Sequence, residues 1–374
     1  MTSALDAELD ALPTDLQRRL AAGGFDRARL IGWSREVAGD KDATNRLDAC
    51  EPPGADDVVA PPLPGSTEER RLRRLGDEAL ARGEVALLVL AGGMATRMGS
   101  VVKALVEALP GRTFLDLRVA GQRPVEAGSG RAAPLWLMTS EATDSAIRGA
   151  LGARLDGERV AVFPQIVSLR LQADGALFRD ATGAPSLYPT GHGDVPEALA
   201  RSGLLARFLA GGGKYVWIAN LDNLGATIDA TLLGGHIDSN KSISVEVVEK
   251  AGDKGGAPVR HRDKVVICED FRLPVGFDAA RVPVFNTNTM LVDAAALAAY
   301  AAPFTYCVVE KKVDGRPCLQ RERLLGELTF HLDARYVRVP RAGKESRFLP
   351  VKDPDELARR RPEIEAVARQ RGML

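Results

Sequence analysis

Leu5, Leu9, Leu12, Leu16 and Leu20 recur at helical spacing and share one face. The pattern predicts an amphipathic helix, a turn at Gly23-Gly24, and a second helix from Phe25 to about Val37. Glu51-Pro52-Pro53-Gly54 and Pro61-Pro62-Leu63-Pro64-Gly65 break regular structure and read as a linker. A charged helix follows over 66–82, with Ser66 as its cap. From Val85 the period changes. Val85 to Leu90 is a short unbroken apolar run, as expected of a buried parallel strand. Strands are then predicted at 135–138, 159–163 and 214–219, and helices at 113–120, up to Leu151, and at 195–209. Residues 169–178, interrupted by Asp174-Gly175, read as a hairpin. This alternation predicts an α/β fold with a mixed, mostly parallel sheet and helices on both faces. The division expected is a helical extension over 1–82 and a catalytic unit over 83–374.

Size and charge narrow the classes. The chain has 374 residues and a formal net charge of zero, which argues against a general nucleic-acid binder. No apolar run is long enough to span a bilayer, and the acidic N-terminus lacks the pattern of a signal peptide. Cys50, Cys268, Cys307 and Cys318 show no C-x-x-C spacing, so reduced thiols in a cytoplasmic protein are expected.

In doubly wound sheets, ligands bind beyond the carboxyl ends of the strands, and the segments with chemical character lie there. Leu90-Ala91-Gly92-Gly93 ends the first strand. A glycine turn there lets backbone N–H groups approach a phosphate, with Arg97 and Lys103 adding positive charge. The loop matches neither G-x-G-x-x-G nor the P-loop. Tyr188 to Asp194, YPTGHGD, precedes a helix that Asp194 is expected to cap with Glu197 in the box position. Its glycines are expected to bring the backbone close to a ligand, and His192 is a neutral donor for a sugar hydroxyl or phosphate. Asn220 to Asp222 follows the strand at 214–219. A carboxylate at that position is suited to magnesium shared with substrate phosphates, which makes Asp222 the candidate metal ligand. Asn286 and Asn288 lie in a loop ahead of the strand 290–292 and offer amides to sugar hydroxyls. Asp353-Pro354 opens a last helix and fixes Lys352 just outside it, where it is a point charge for a phosphate.

Five segments in register, YPTGHGD (188–194), NLDNLGATID (220–229), EVVEKAGDKGG (246–256), VFNTNT (284–289) and SRFLPVKDPDEL (346–357), resemble the eukaryotic-type UTP–glucose-1-phosphate uridylyltransferases. The resemblance covers about 85–357. It implies a Rossmann-like nucleotidyltransferase domain that binds UTP and a sugar 1-phosphate, with Mg2+ on Asp222. It implies that Leu90 to Gly93 hold the UTP and that Gln165 and Gly191 contact the uracil. His192 and the Asn220–Asp222 loop would face the sugar phosphate and nucleotide. Lys103 and Lys352 match phosphate-binding lysines, Lys250 matches the lysine of a V-V-x-K segment, and Asn286 and Asn288 match sugar-side asparagines. The chain departs from the pattern at Ala95, where the family has glycine, and at Val101-Val102, with one residue fewer before Lys103. A methyl group at Ala95 is expected to strain a positive-φ turn by about 1 kcal/mol. No counterpart of the C-terminal β-helix of animal, plant and fungal members is expected.

The expected reaction is in-line attack of a sugar 1-phosphate oxygen on the α-phosphorus of UTP, giving UDP-glucose and pyrophosphate. Catalysis is then positioning and charge neutralisation. Two alternatives remain: a uridylyltransferase for N-acetylglucosamine or galactose 1-phosphate, and a non-catalytic nucleotide-sugar sensor.

Overall fold

A computed structural model describes residues 4–36, 45–95, 98–99, 101–300, 302 and 304–374. Thr96, Arg97 and Val37 therefore lie outside the described residues.

The central sheet has eight strands, numbered here in chain order: β1 Val58–Val59, β2 Val85–Leu90, β3 Leu135–Thr139, β4 Val160–Pro164, β5 Tyr215–Asn220, β6 Ile243–Glu249, β7 Val284–Asp293 and β8 Ala334–Arg338. Their spatial order is β1-β8-β6-β7-β5-β2-β3-β4. Only β7 runs against its neighbours, β5 and β6; every other pairing is parallel. The mixed, mostly parallel sheet is thus the observed one. Its residues alternate between two cores. Val85, Leu87 and Val89 of β2 face one, with Phe114, Leu115 and Leu117 of the helix Phe114–Ala120. Ala86 and Leu88 face the other, with Val195 and Leu199 of the helix Val195–Ser202. Burial on both faces explains why β2 reads as an unbroken apolar run.

Some boundaries differ from expectation. The first helix is two, Ala4–Asp10 and Thr14–Ala22, because Pro13 (φ −53, ψ 140) interrupts it. Proline lacks the N–H that a helix interior needs. The helix expected over 195–209 also divides, at Gly203 (φ 71), into Val195–Ser202 and Leu204–Ala210. The proline-rich stretch is more than a connector, since Val58–Val59 pairs with Tyr336 and Val337 as an edge strand. The expected hairpin forms around the Leu171–Leu177 bridge, with the Phe178 N–H donating to the Arg170 carbonyl and the Gln172 N–H to the Ala176 carbonyl, while Val167–Leu169 pairs with Leu187–Pro189. Leu5, Leu9, Leu16, Leu20, Leu30 and Trp33 form a third core with Val167, Leu169, Leu171 and Leu177, so the N-terminal helices brace this segment. Among the described residues no helix is long and apolar enough to cross a membrane.

Candidate active site

A cavity of about 680 Å³ opens beyond the carboxyl ends of β2, β3, β4 and β5. Leu90, Gly92 and Gly93 line it from β2, Ser140 and Glu141 from β3, Gln165 from β4, and Asn220 and Asp222 from β5. Gly191, His192 and Lys103 also line it. A Cβ at Gly92 would lie 2.5 Å from Gln165 Oε1, so a larger residue there would push the Gln165 amide aside. Ala91 is buried beneath the wall, where its carbonyl accepts from Thr143 Oγ1 at 3.1 Å. Met94–Ala95 then pairs antiparallel with Val101–Val102. Ala95 lies outside the positive-φ region, so its methyl group carries none of the expected strain. Lys103 follows that pairing, and its Nζ lies 2.7 Å from Asp222 Oδ2.

Asp222 is the hub of the cavity floor. Its Oδ2 also accepts from the Val351 N–H at 3.0 Å. Arg118, fully buried, holds the loop rigid by donating to the carbonyls of Asn220, Leu221, Asn223 and Ala226. Burial lowers the Arg118 guanidinium to about 10, which leaves it charged at neutral pH. Asn223 ties in the distant segment 346–351: its Nδ2 donates to the Arg347 carbonyl at 3.0 Å, and its Oδ1 accepts from the Leu349 N–H at 2.8 Å. Arg347 is buried over the Trp217 ring and pairs bidentately with Glu246, both contacts at 2.6 Å. Lys352 follows directly. Its side chain is exposed and outside the cavity wall. Its N–H donates to Glu356 Oε2 at 2.8 Å, and Asp353 caps the helix Pro354–Gln370 by accepting from the Glu356 N–H.

The Gly-His-Gly stretch packs closely against protein backbone, and Gly191 and His192 also line the cavity. Gly191 has φ 106, and a Cβ there would meet the Arg323 carbonyl oxygen at 2.4 Å; one at Gly193 would meet Leu324 N at 2.7 Å. The backbone of 323–325 lies against it. His192 Nδ1 accepts from the Leu325 N–H at 2.8 Å, which puts the proton of the neutral ring on Nε2 as a donor. Burial lowers the His192 pKa, favouring that neutral form. Asp194 does not cap the helix with its side chain. Its carboxylate is fully buried, accepts from Thr190 Oγ1 and the Ile166 N–H, and pairs with Arg323 Nε at 2.7 Å. Glu197, expected in the capping box, pairs with Arg323 Nη1 at 2.7 Å instead.

Asn286 and Asn288 belong to β7 itself, at a bulge where the register with β6 shifts. Asn288 has φ 56, and its Nδ2 donates to Asn220 Oδ1 at 2.9 Å. Asn286 Oδ1 accepts from the Asn288 N–H at 3.0 Å. Both amides stand behind the cavity wall. Lys250 points elsewhere, donating to the Ala279 carbonyl at 2.9 Å. Sequence reasoning missed Arg170, Lys311, Gln320 and Glu322, which also line the cavity. The last three come from the hairpin Cys307–Val313 and Arg316–Glu322. No local motif marks that hairpin, because only its return over the sheet brings it to the site.

Among the described residues no group of three or more His, Cys, Asp or Glu side chains gathers as a metal cluster. Asp222 offers one carboxylate oxygen, Oδ1, without a hydrogen-bond partner among those residues. A lone carboxylate fits a cation that takes its other ligands from phosphates and water.

The UTP–glucose-1-phosphate uridylyltransferase family matches residues 48–364 of this sequence. The chain belongs to that family. A relative of the same name from Pyrus pyrifolia is 32% identical over 380 residues, covering 96% of this chain and 78% of the relative. One from Hordeum vulgare is 33% identical over 301 residues, covering 73% and 61%. A third, from Dictyostelium discoideum, is 32% identical, covering 83% and 63%. The chain thus spans less than two thirds of the length of the latter two. The fold is shared with the UDP-N-acetylglucosamine pyrophosphorylase of Trypanosoma brucei, solved with an inhibitor (TM-score 0.74, 20% identity, 96% of this chain and 81% of that one). It is also shared with a mutant UDP-glucose pyrophosphorylase of Leishmania major (TM-score 0.70, 23% identity, 96% and 79%). Uridylyltransferases are nucleotidyltransferases, and enzymes of this type generally use a divalent metal.

Proposed function

We propose that this chain joins UTP and glucose 1-phosphate into UDP-glucose with release of pyrophosphate. The observation that carries the reading is the Lys103–Asp222–Val351 junction on the floor of a cavity walled by Gly92, Gln165 and His192. Leu90, Gly92 and Gly93 present backbone to the nucleotide, with Ala91 supporting them from below. Gln165 and Gly191 meet the uracil. His192 donates through Nε2 to the sugar phosphate. Asn286 and Asn288 act by orienting Asn220, and Lys250 serves the sugar side only after leaving the Ala279 carbonyl.

The nucleophile is a sugar phosphate oxygen and is already anionic, so no general base is required. The task is to bring two anions together and offset the charge that develops on the α-phosphate and pyrophosphate. Lys103 and Lys352 supply positive charge for this, Arg97 adds to it from the glycine loop, and the rigid loop around Asp222 fixes the geometry. Mg2+ fits Asp222 Oδ1 and would supply charge neutralisation shared between phosphate oxygens. Residues 83–374 form the catalytic unit in this reading, and 1–82 act as its helical brace. Four free cysteines, three of them buried, favour a reducing compartment such as the cytoplasm.

Pyrophosphate release measured with UTP, ATP, CTP and GTP against glucose, galactose and N-acetylglucosamine 1-phosphates tests the substrate assignment. A preference for UTP with glucose 1-phosphate supports it. Turnover confined to another sugar would move the specificity while keeping the chemistry.

A further inference from the structure

A second cavity, also about 680 Å³, lies beyond the carboxyl ends of β6 and β8 and shares no wall residue with the first. One side is apolar, built from Pro61, Pro62, Leu63 and Pro64, with Val339 and Pro340 opposite. The rest is dominated by guanidinium groups. Two are spent within the protein: Arg73 pairs with Glu69 at 2.9 Å, and Arg341 with Asp253 at 2.8 Å. Three are not fully used. The Arg338 side chain is exposed and its guanidinium has no hydrogen-bond or ion-pair partner among the described residues. Arg347 is 2% exposed, yet its Nη1 has no acceptor. Arg371 Nε is likewise buried without an acceptor, while its Nη2 donates to the Glu345 carbonyl at 3.5 Å and stands 4.0 Å from the Glu345 carboxylate. Burial and the neighbouring Arg347 both lower the Arg371 pKa. Among the acids on the wall, Asp229 is committed to capping the helix Ala230–Ser239, and Glu249 is exposed at the rim.

Buried charged donors without acceptors are costly, and protein groups or a ligand normally satisfy them. We propose that this cavity is a second anion site for a small organic phosphate monoester. Arg338, Arg347 and Arg371 hold the phosphate, a fork geometry suited to its oxygens. The proline wall covers the organic part. The two cavities have separate walls, and Arg347 links this site to the segment that meets Asp222.

Calorimetric titration of the full chain with glycerol 3-phosphate tests it, with inorganic phosphate as a second titrant. The wild type is expected to bind glycerol 3-phosphate at one site. Lys103→Ala should retain that binding. Arg371→Leu and Arg338→Gln should each weaken it about tenfold or more, while melting within a few degrees of the wild type. Arg347 is left intact because it also secures the segment that meets Asp222. Binding lost in Lys103→Ala but kept in both arginine variants would assign the heat to the active cavity and overturn the proposal. Absence of binding by the wild type would overturn it as well. Equal affinity for inorganic phosphate would remove the organic part of the ligand.

Discussion

Lys103 makes an ion pair with Asp222 at 2.7 Å on the cavity floor, where reacting phosphates would carry several negative charges. Lys103→Ala is expected to lower kcat/KM about a hundredfold or more, the usual effect of removing one positioned donor. A thermal melt close to that of the wild type would separate this from unfolding. Lys352 makes a sharper case, since its side chain is exposed and outside the wall. Lys352→Ala should lose turnover to a similar degree; near-normal kcat in a folded variant would remove it from the machinery. His192 gives a pH signature. Burial lowers its pKa, so the ring stays neutral down to and below the ordinary imidazole value of about 6.5. Activity should show no His192 step above that value. At lower pH the unfolded chain takes up the proton before the folded one, so stability contributed here falls as pH drops below about 6.5. A step near pH 7.5 that His192→Gln abolishes would contradict this. Much of the candidate site was legible at this scale. Gly92, Lys103, His192, Asn220 and Asp222 each stand near a strand end, where short-range pattern and chemistry coincide, whereas Gln165 followed only from the family resemblance. The close approach of the Arg323–Leu324 backbone to Gly191 and Gly193 has no local signal, because that segment is distant in sequence.

The loop Asn220–Ala226 owes its shape to Arg118 from one helix, and the segment 346–351 owes its position to Arg347 and Glu246. These elements carry the site without touching substrate in this account. Arg347→Met would leave Glu246 buried and unpaired, costing about 3–5 kcal/mol. Urea unfolding should show this as a lower midpoint. Arg118→Met would strand four carbonyls, and its cost should be of similar size. Sequence pattern revealed none of this, because a buried arginine has no periodic signature. Pattern did find β2, β3 and β5 to within a residue or so, since apolar runs bounded by glycine or polar turns are local. It misjudged the helices at Pro13 and Gly203, where single breakers outweighed a continuous apolar face. The hairpin carrying Lys311 and Glu322 stayed hidden, because its place over the cavity is set by the sheet beneath it.

Across the whole molecule, the N-terminal helices join the site through the segment 167–189. Leu30 is fully buried in their shared core, and Val167 N–H donates to the Gly23 carbonyl at 2.9 Å. Leu30→Ala should cost about 2–5 kcal/mol of stability, as other large-to-small core changes do. If the helices brace the nucleotide wall, the same variant should raise the KM for UTP more than it lowers kcat; an unchanged KM would reduce the extension to a bystander. The central claim is that the cavity around Asp222 performs uridylyl transfer. It is tested most directly by pyrophosphate release from UTP and glucose 1-phosphate with magnesium, in the wild type and in Asp222→Asn. The wild type is expected to turn over, and the variant to lose about a hundredfold or more in rate. No release by a wild type that still binds UDP-glucose would contradict it, and would leave this cavity as a sensor of nucleotide sugars.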